Sequence, residues 1–200
     1  MREEAMDGAD DPGKAAAFLD VILATNPDLL HEAQKAALAC AAEIRETEDL
    51  PAEIAADAPL PASARNVYGI IPQGLNNWER FFADLLDRDA TGIVKWWHRN
   101  EPHKPWSVNV LMPDGRGFFP DFVIGVDGRK TEDNVLLADP KLNFQREDEA
   151  SKVLARHQTY GRVLIVYRDG TSRWMKVGYD DKFGKPVLSG EFRVSDAVGF

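Results

Sequence analysis

Apolar residues recur at helical spacing in the first part of the chain and at strand spacing in the second. Ala15 to Ala24 reads as an alanine-rich helix, which Asn26-Pro27 interrupts. From Asp28 to about Glu46, Leu30, Ala33, Ala37, Cys40 and Ile44 return on one helical face. The run PAEIAADAPLP that follows Leu50 has three prolines and little periodicity, which is the pattern of a linker. The expected organisation is an acidic helical segment over 1–50, a Pro/Ala-rich linker over 51–65 and a main domain over 66–200.

Within the main domain, Trp78, Phe81, Phe82, Leu85 and Leu86 fall at i, i+3, i+4, i+7 and i+8, which predicts an amphipathic helix over Asn77 to Asp87. Asn76 or Asn77 is a suitable cap. Strand-like runs follow at Ile93 to His98, Trp106 to Met112 and Phe118 to Val126, the last two joined by the turn sequence PDGRG. After the polar loop DGRKTED comes a fourth run, Val135 to Ala138. Glu147 to Gln158 then reads as a helix ended by Gly161, and Arg162 to Tyr167 and Ser172 to Val177 read as a hairpin about Arg168-Asp169-Gly170-Thr171. Helix, several strands, helix and strands in that order predict an α/β domain, a mixed sheet flanked by helices.

Composition sharpens this picture in two places. The single cysteine, Cys40, excludes an internal disulfide framework and a multi-cysteine zinc site, which fits a reducing compartment, with the cytoplasm as the expected location. No apolar run approaches the roughly 20 residues that span a bilayer, and the opening MREEAMDGADD is acidic where a signal peptide would be basic. The net charge of -9 argues against a general polyanion binder until it is divided by position. Residues 1–65 hold 14 Asp/Glu and 5 Lys/Arg, whereas residues 66–200 hold 19 of each. Any contact with nucleic acid by the main domain therefore rests on local basic groups.

The chemistry concentrates in one place. Alternate side chains of a strand share a face, so Asp121 goes with Phe119 and Val123, and Asp139 with Leu137 and Lys141. Asp139 and Lys141 end VLLADPK, a run otherwise fit for a sheet interior, where an unpaired ion would lose several kcal/mol of hydration. Such residues need each other or a metal. If the strands bring Asp121 beside Asp139, two carboxylates converge with no cysteine or histidine between them, an all-oxygen site suited to magnesium or manganese.

Phe119-Pro120-Asp121 followed by Asp139-Pro140-Lys141 resembles the PD-(D/E)xK nuclease superfamily. The helix with Trp78-Glu79-Arg80-Phe81-Phe82, the run VKWWHRN and the run YGRVLIVYRDG resemble the C-terminal nuclease domains attached to restriction-type (type III-like) superfamily 2 DEAD/DEAH helicases. The resemblance covers about residues 66–180. It implies a restriction-endonuclease-like αβββαβ core, with Asp121 and Asp139 on a Mg²⁺ or Mn²⁺ ion, Lys141 beside the attacking water, and Glu79 completing the metal shell. By helical geometry Glu79 falls at the edge of the apolar stripe, from where it could look along the sheet. Two positions depart from the family pattern: Asp139 stands where glutamate is usual, and Leu142 where glycine is usual. Pro140 removes a ladder N–H, which predicts a strand at an edge or ending there.

Each further candidate has a plainer alternative. Glu79 could equally sit on a solvated helix edge. His98 and Arg99 are candidate DNA contacts, yet Trp96 and Trp97 cannot both face the core, so either could instead stack on an exposed tryptophan. Lys152, Arg156 and Gln158, on the helix after the site, are candidate nucleic-acid contacts or a solvated face. Cys40 suits a small core position, and His31 and His103 are assigned nothing.

The function expected from the resemblance is metal-dependent hydrolysis of DNA phosphodiester bonds, as the nuclease module of a helicase-nuclease or an antiviral defence system. Its expected partners are DNA and a superfamily 2 helicase in the same or another chain, with no membrane and with oligomers allowed. The rival is a nuclease-fold domain that binds nucleic acid or a helicase without cutting. In a third version the acidic helical segment 1–65 is an assembly or inhibitory element that covers the site electrostatically. No GxxxxGK[ST] motif is present, so this chain has no ATP-driven motor of its own.

Overall fold

The computed structural model describes residues 12–26, 28, 29, 33, 48–112, 115–129, 134–143 and 147–200. The chain divides into two compact units, Met1–Ile44 and Arg45–Phe200. In the first, helix α1 spans Pro12–Thr25, with Pro12 in the first turn, where its missing N–H costs no hydrogen bond. The second helix expected up to Glu46, with His31 and Cys40, lies almost wholly outside the described residues.

The stretch read as a linker is tied to the second unit. Tyr68 donates its hydroxyl to the carbonyl of Pro51, the N–H of Ile71 donates to Pro61 O, and that of Trp97 to Arg65 O. Backbone hydrogen bonding of this kind is absent from a free linker.

Helix α2, Asn77–Asp87, begins on a capping box: the Asn76 side chain accepts from the N–H groups of Trp78 and Glu79 while the Glu79 carboxylate accepts from Asn76. Its buried residues are Glu79, Phe82, Ala83 and Leu86, so the stripe is turned from the one read in the sequence. Phe82 anchors it, with ring centroids 5.2 Å from Phe122 and 5.3 Å from Trp174. Phe81 stays exposed, and the Arg168 guanidinium lies 3.8 Å above its ring.

Strands β1 (Val94–Arg99), β2 (Val110–Leu111), β3 (Gly117–Phe118), β4 (Phe122–Val126) and β5 (Val135–Lys141) follow. Helix α3 (Glu147–Leu154) leads to β6 (Arg156–His157), β7 (Gly161–Arg162), β8 (Leu164–Arg168), β9 (Trp174–Asp180) and β10 (Lys185–Glu191), and a 3-10 turn over Val194–Val198 ends the chain. Six strands form one sheet in the order β1-β4-β5-β8-β9-β10. All its pairs are antiparallel except β5 with β8, which α3 connects as a parallel crossover. Helix, three antiparallel strands, helix, parallel strand is the expected α/β order, and the sheet is mixed as predicted.

The sheet is buried on both faces. Trp97, Phe122, Ile124, Leu136, Ala138, Leu164 and Val166 pack with α2 and with Phe192 and Ala197. Val123, Leu137, Ile165 and Val177 pack with Val153 and Ala155 from around the end of α3. The two adjacent tryptophans divide accordingly: Trp97 is fully buried and donates its indole N–H to Asp87, and Trp96 lies across Gly125, where a Cβ would come within 2.4 Å of the indole.

Several boundaries differ from the sequence reading. The strand expected over Phe118 to Val126 is cut by Pro120-Asp121, which leaves β3 paired with β2 and β4 with β1 and β5. Only Val110–Leu111 of the run Trp106 to Met112 is a strand. Helix α3 stops at Leu154, because Arg156 and His157 pair with Arg162 and Gly161 in a small hairpin in which Gly161 takes φ +80°. Strand β10 and the 3-10 turn were not anticipated at all.

Candidate active site

The β4–β5 ladder runs from Gly125 opposite Val135 to Phe122 opposite Ala138 and stops there. One step further, the same antiparallel register sets Asp121 against Asp139. Asp121 is therefore not a strand residue, as the alternation argument had it. It occupies the bend where the chain enters β4, and the two strands part at the carboxylates. From Asp139 to Lys141, β5 keeps only β8 as a ladder partner, with Asp139, Pro140 and Lys141 opposite Ile165, Val166 and Tyr167. Pro140, which has no N–H to give, is tolerated where one flank of an otherwise central strand is open.

Asp139 is 1% exposed, and its Oδ1 lies 2.7 Å from Nζ of Lys141. The Lys141 ammonium faces Oδ1 as an ion pair, and among the described residues this buried oxygen has no further hydrogen-bond partner. Asp121 is hydrogen-bonded to Asp139, and its carboxyl is pushed up from 3.8 to about 9. Burial is the largest cause, followed by the charge of Asp139 and the hydrogen bond to it, with Lys141 opposing and Glu79 adding a smaller push. Two carboxyl groups in hydrogen-bond contact share a proton, which raises the pKa of the pair.

The bend that carries Asp121 is fixed by Asn100, the residue after β1. Asn100 is 2% exposed. Its main-chain N–H donates to Asp121 O at 2.8 Å, its Nδ2 donates to Pro120 O and Val108 O at 2.8 Å each, and its Oδ1 accepts from Val108 N at 2.8 Å. Sequence reasoning missed it. The only signal was a polar residue of turn-forming type directly after an apolar strand.

Glu79 does not join the two aspartates as expected. It is 6% exposed, which also overturns the solvated-edge alternative. Its Oε2 accepts from Asn76 N at 3.0 Å, its Oε1 from Asn76 Nδ2 at 2.9 Å, and Arg99 Nη2 lies 3.5 Å from Oε2. Both oxygens are thus committed to the helix cap and to Arg99. Among the described residues no three His, Cys, Asp or Glu side chains form a metal cage.

The candidate nucleic-acid contacts scatter. His98 is buried, stacked with Trp96 at 6.3 Å between centroids, and its Nδ1 is 3.0 Å from Arg99 O. Burial lowers its pKa, so it is held neutral inside the fold and offers no surface to a polyanion. Stacking on a tryptophan is the alternative that holds, with Trp96 partly buried. Arg99 gives Nη1 to Gln73 O at 3.1 Å and faces Glu79. Lys152 is on α3, while Arg156 is an exposed residue of β6 and Gln158 an exposed residue of the turn after it, so the three do not share a helix face.

The donor set fits a small hard cation. Asp121 and Asp139 supply only oxygen, one of those oxygens is buried with no hydrogen bond among the described residues beyond the Lys141 ion pair, and Mg²⁺ commonly takes one or two carboxylates and fills its remaining positions with water. Among the described residues no helix is long and apolar enough to cross a membrane. Comparison of the chain with family models, with curated proteins and with solved structures finds no match.

Proposed function

We propose that the chain is a divalent-metal-dependent nuclease of the PD-(D/E)xK type that hydrolyses DNA phosphodiester bonds. One observation carries this reading: Asp121 and Asp139 stand one step beyond the last β4–β5 pair, Phe122 opposite Ala138, with a buried oxygen of Asp139 that has no partner among the described residues besides Lys141 Nζ at 2.7 Å. Asp121 and Asp139 would hold Mg²⁺ or Mn²⁺. When bound, the ion supplies charge to polarise a phosphate oxygen and to acidify a water. Lys141 keeps an ammonium at the opening, held by Asp139, where it stabilises negative charge developing on phosphorus-bound oxygens. Asp121 must release its proton for both carboxylates to act as ligands. Glu79 anchors the start of α2 and orients Arg99 rather than serving as a third ligand. The placement of such a module beside a superfamily 2 helicase, in the same or a partner chain, and within a restriction or antiviral defence system, belongs to the same proposal.

Incubation with plasmid and oligonucleotides, with Mg²⁺ or Mn²⁺ and then with EDTA, tests it. Cleavage should need the metal and be lost in Asp139→Asn and Asp121→Asn. Cleavage unchanged in both variants would sink the assignment.

The lack of a third acidic ligand among the described residues favours a second reading, a nuclease-fold domain that binds nucleic acid or a helicase without cutting. Calorimetry separates the two. DNA binding with no uptake of Mn²⁺ supports the second.

A further inference from the structure

We infer that Asn100 is a positioning residue for the metal-binding carboxylates, a clamp that sets where Asp121 stands relative to Asp139. This inference rests on the metal-site reading above. Asp121 is not held by the sheet ladder, which ends at Phe122 opposite Ala138 on one side and at Phe122 opposite Arg99 on the other. Pro120, just before it, has no N–H with which to anchor itself. What fixes this dipeptide is Asn100, through its own N–H to Asp121 O and its Nδ2 to Pro120 O.

The same amide pairs with Val108 as a strand would, giving Nδ2–H to the carbonyl and taking the N–H on Oδ1. An asparagine side chain has two donors and an acceptor. Here both donors and the acceptor are used, in a buried position. No other residue type of this size supplies that set: aspartate lacks the donors, and leucine lacks all three. Val108 belongs to the core cluster of Val110, Val123 and Leu137, the same face along which Leu137 leads to Asp139. Asn100 thus refers the Asp121 bend to the packed face that carries Asp139. A loosened bend would let the two carboxyl groups, which repel when both are ionised, move apart.

The test is Mn²⁺ affinity of the full chain, measured by calorimetry for wild type, Asn100→Ala and Leu86→Ala. Leu86 is buried in α2 against the opposite face, so its truncation lowers stability without touching the bend. Asn100→Ala should weaken Mn²⁺ binding about 10- to 100-fold, the range seen when groups that orient metal ligands are removed, while Leu86→Ala leaves it near wild type. If Asn100→Ala does not fold, Asn100→Ser, which keeps one hydroxyl donor, is read in the same way. Wild-type affinity in the Asn100 variant, or an equal loss in Leu86→Ala, overturns the clamp and leaves the metal site standing. A wild-type chain that takes up no Mn²⁺ overturns the metal-site reading and the clamp with it.

Discussion

Lys141 places its Nζ 2.7 Å from Oδ1 of Asp139, two positions back on the same strand, so the cation and the most buried carboxylate of the site share one face of β5. This pairing separates two jobs that a single activity assay would merge. Lys141→Ala removes the ammonium but keeps both candidate ligands. Cleavage should fall by about 10²- to 10³-fold, as when one preorganised charge-stabilising group is lost, while Mn²⁺ affinity holds or rises. Parallel calorimetry and plasmid cleavage check it; loss of Mn²⁺ binding in this variant would contradict the assigned roles.

The raised Asp121 carboxyl ties stability to pH in an unusual direction. Its folded pKa, about 9, lies above the unfolded value near 3.8, so the folded state holds the proton more tightly. The corresponding stability is complete below about pH 4 and is lost progressively as pH rises toward 9. Thermal unfolding in EDTA, followed by circular dichroism between pH 5 and 9, should show a declining midpoint in wild type and a flatter one in Asp121→Asn. Identical slopes would mean that Asp121 does not titrate in this way.

Glu79 and Asn76 cap each other, which predicts a stability effect where a metal ligand would give an activity effect. Asn76→Ala removes the acceptor for two helix N–H groups and should cost about 1 kcal/mol, within 0.5–2. Glu79→Gln should leave Mn²⁺ affinity near wild type, unlike Asp139→Asn. Urea unfolding measures the first and calorimetry the second.

Gly125 lets Trp96 lie flat on β4. A methyl group at this position would meet indole atoms at 2.4 Å, so Gly125→Ala must displace the ring. The expected loss is about 1–3 kcal/mol, typical of overpacking, with a red shift of tryptophan fluorescence as Trp96 moves toward water. An unshifted spectrum with full stability would show that the ring has room to adjust.

Much of this molecule was legible from its pattern. The apolar run Val135 to Ala138 could only be a buried strand, and Asp139 and Lys141 at its end were conspicuous because ions are expensive there. The capping of α2 by Asn76 was also readable. What failed was information that lies in pairing rather than in local period. Nothing in PDGRG or FFPDF says that the run breaks at Pro120 and feeds two different sheets. Glu79 was misplaced because a stripe drawn through the largest side chains put Trp78 and Phe81 inward, whereas the helix buries Phe82, Ala83 and Leu86 and closes its first turn with the glutamate. His98 looked like a surface contact because the sequence does not say which of Trp96 and Trp97 the core takes, and the fold buries His98 beside Trp96. Asn100 was invisible because its role depends on Val108 and Pro120, which only the fold brings to it.

The register of β4 against β5 makes the site discrete rather than graded. Residues 127–134 join the two strands, and their number can change without altering which residues face each other across the ladder. A single residue inserted or deleted inside either strand is different in kind, because it turns every following side chain to the opposite face. One of the two aspartates would then point toward α2 and the other away from it. Insertions should therefore be tolerated in the connecting loop and destructive within Phe122–Val126 or Val135–Lys141, whatever the residue introduced.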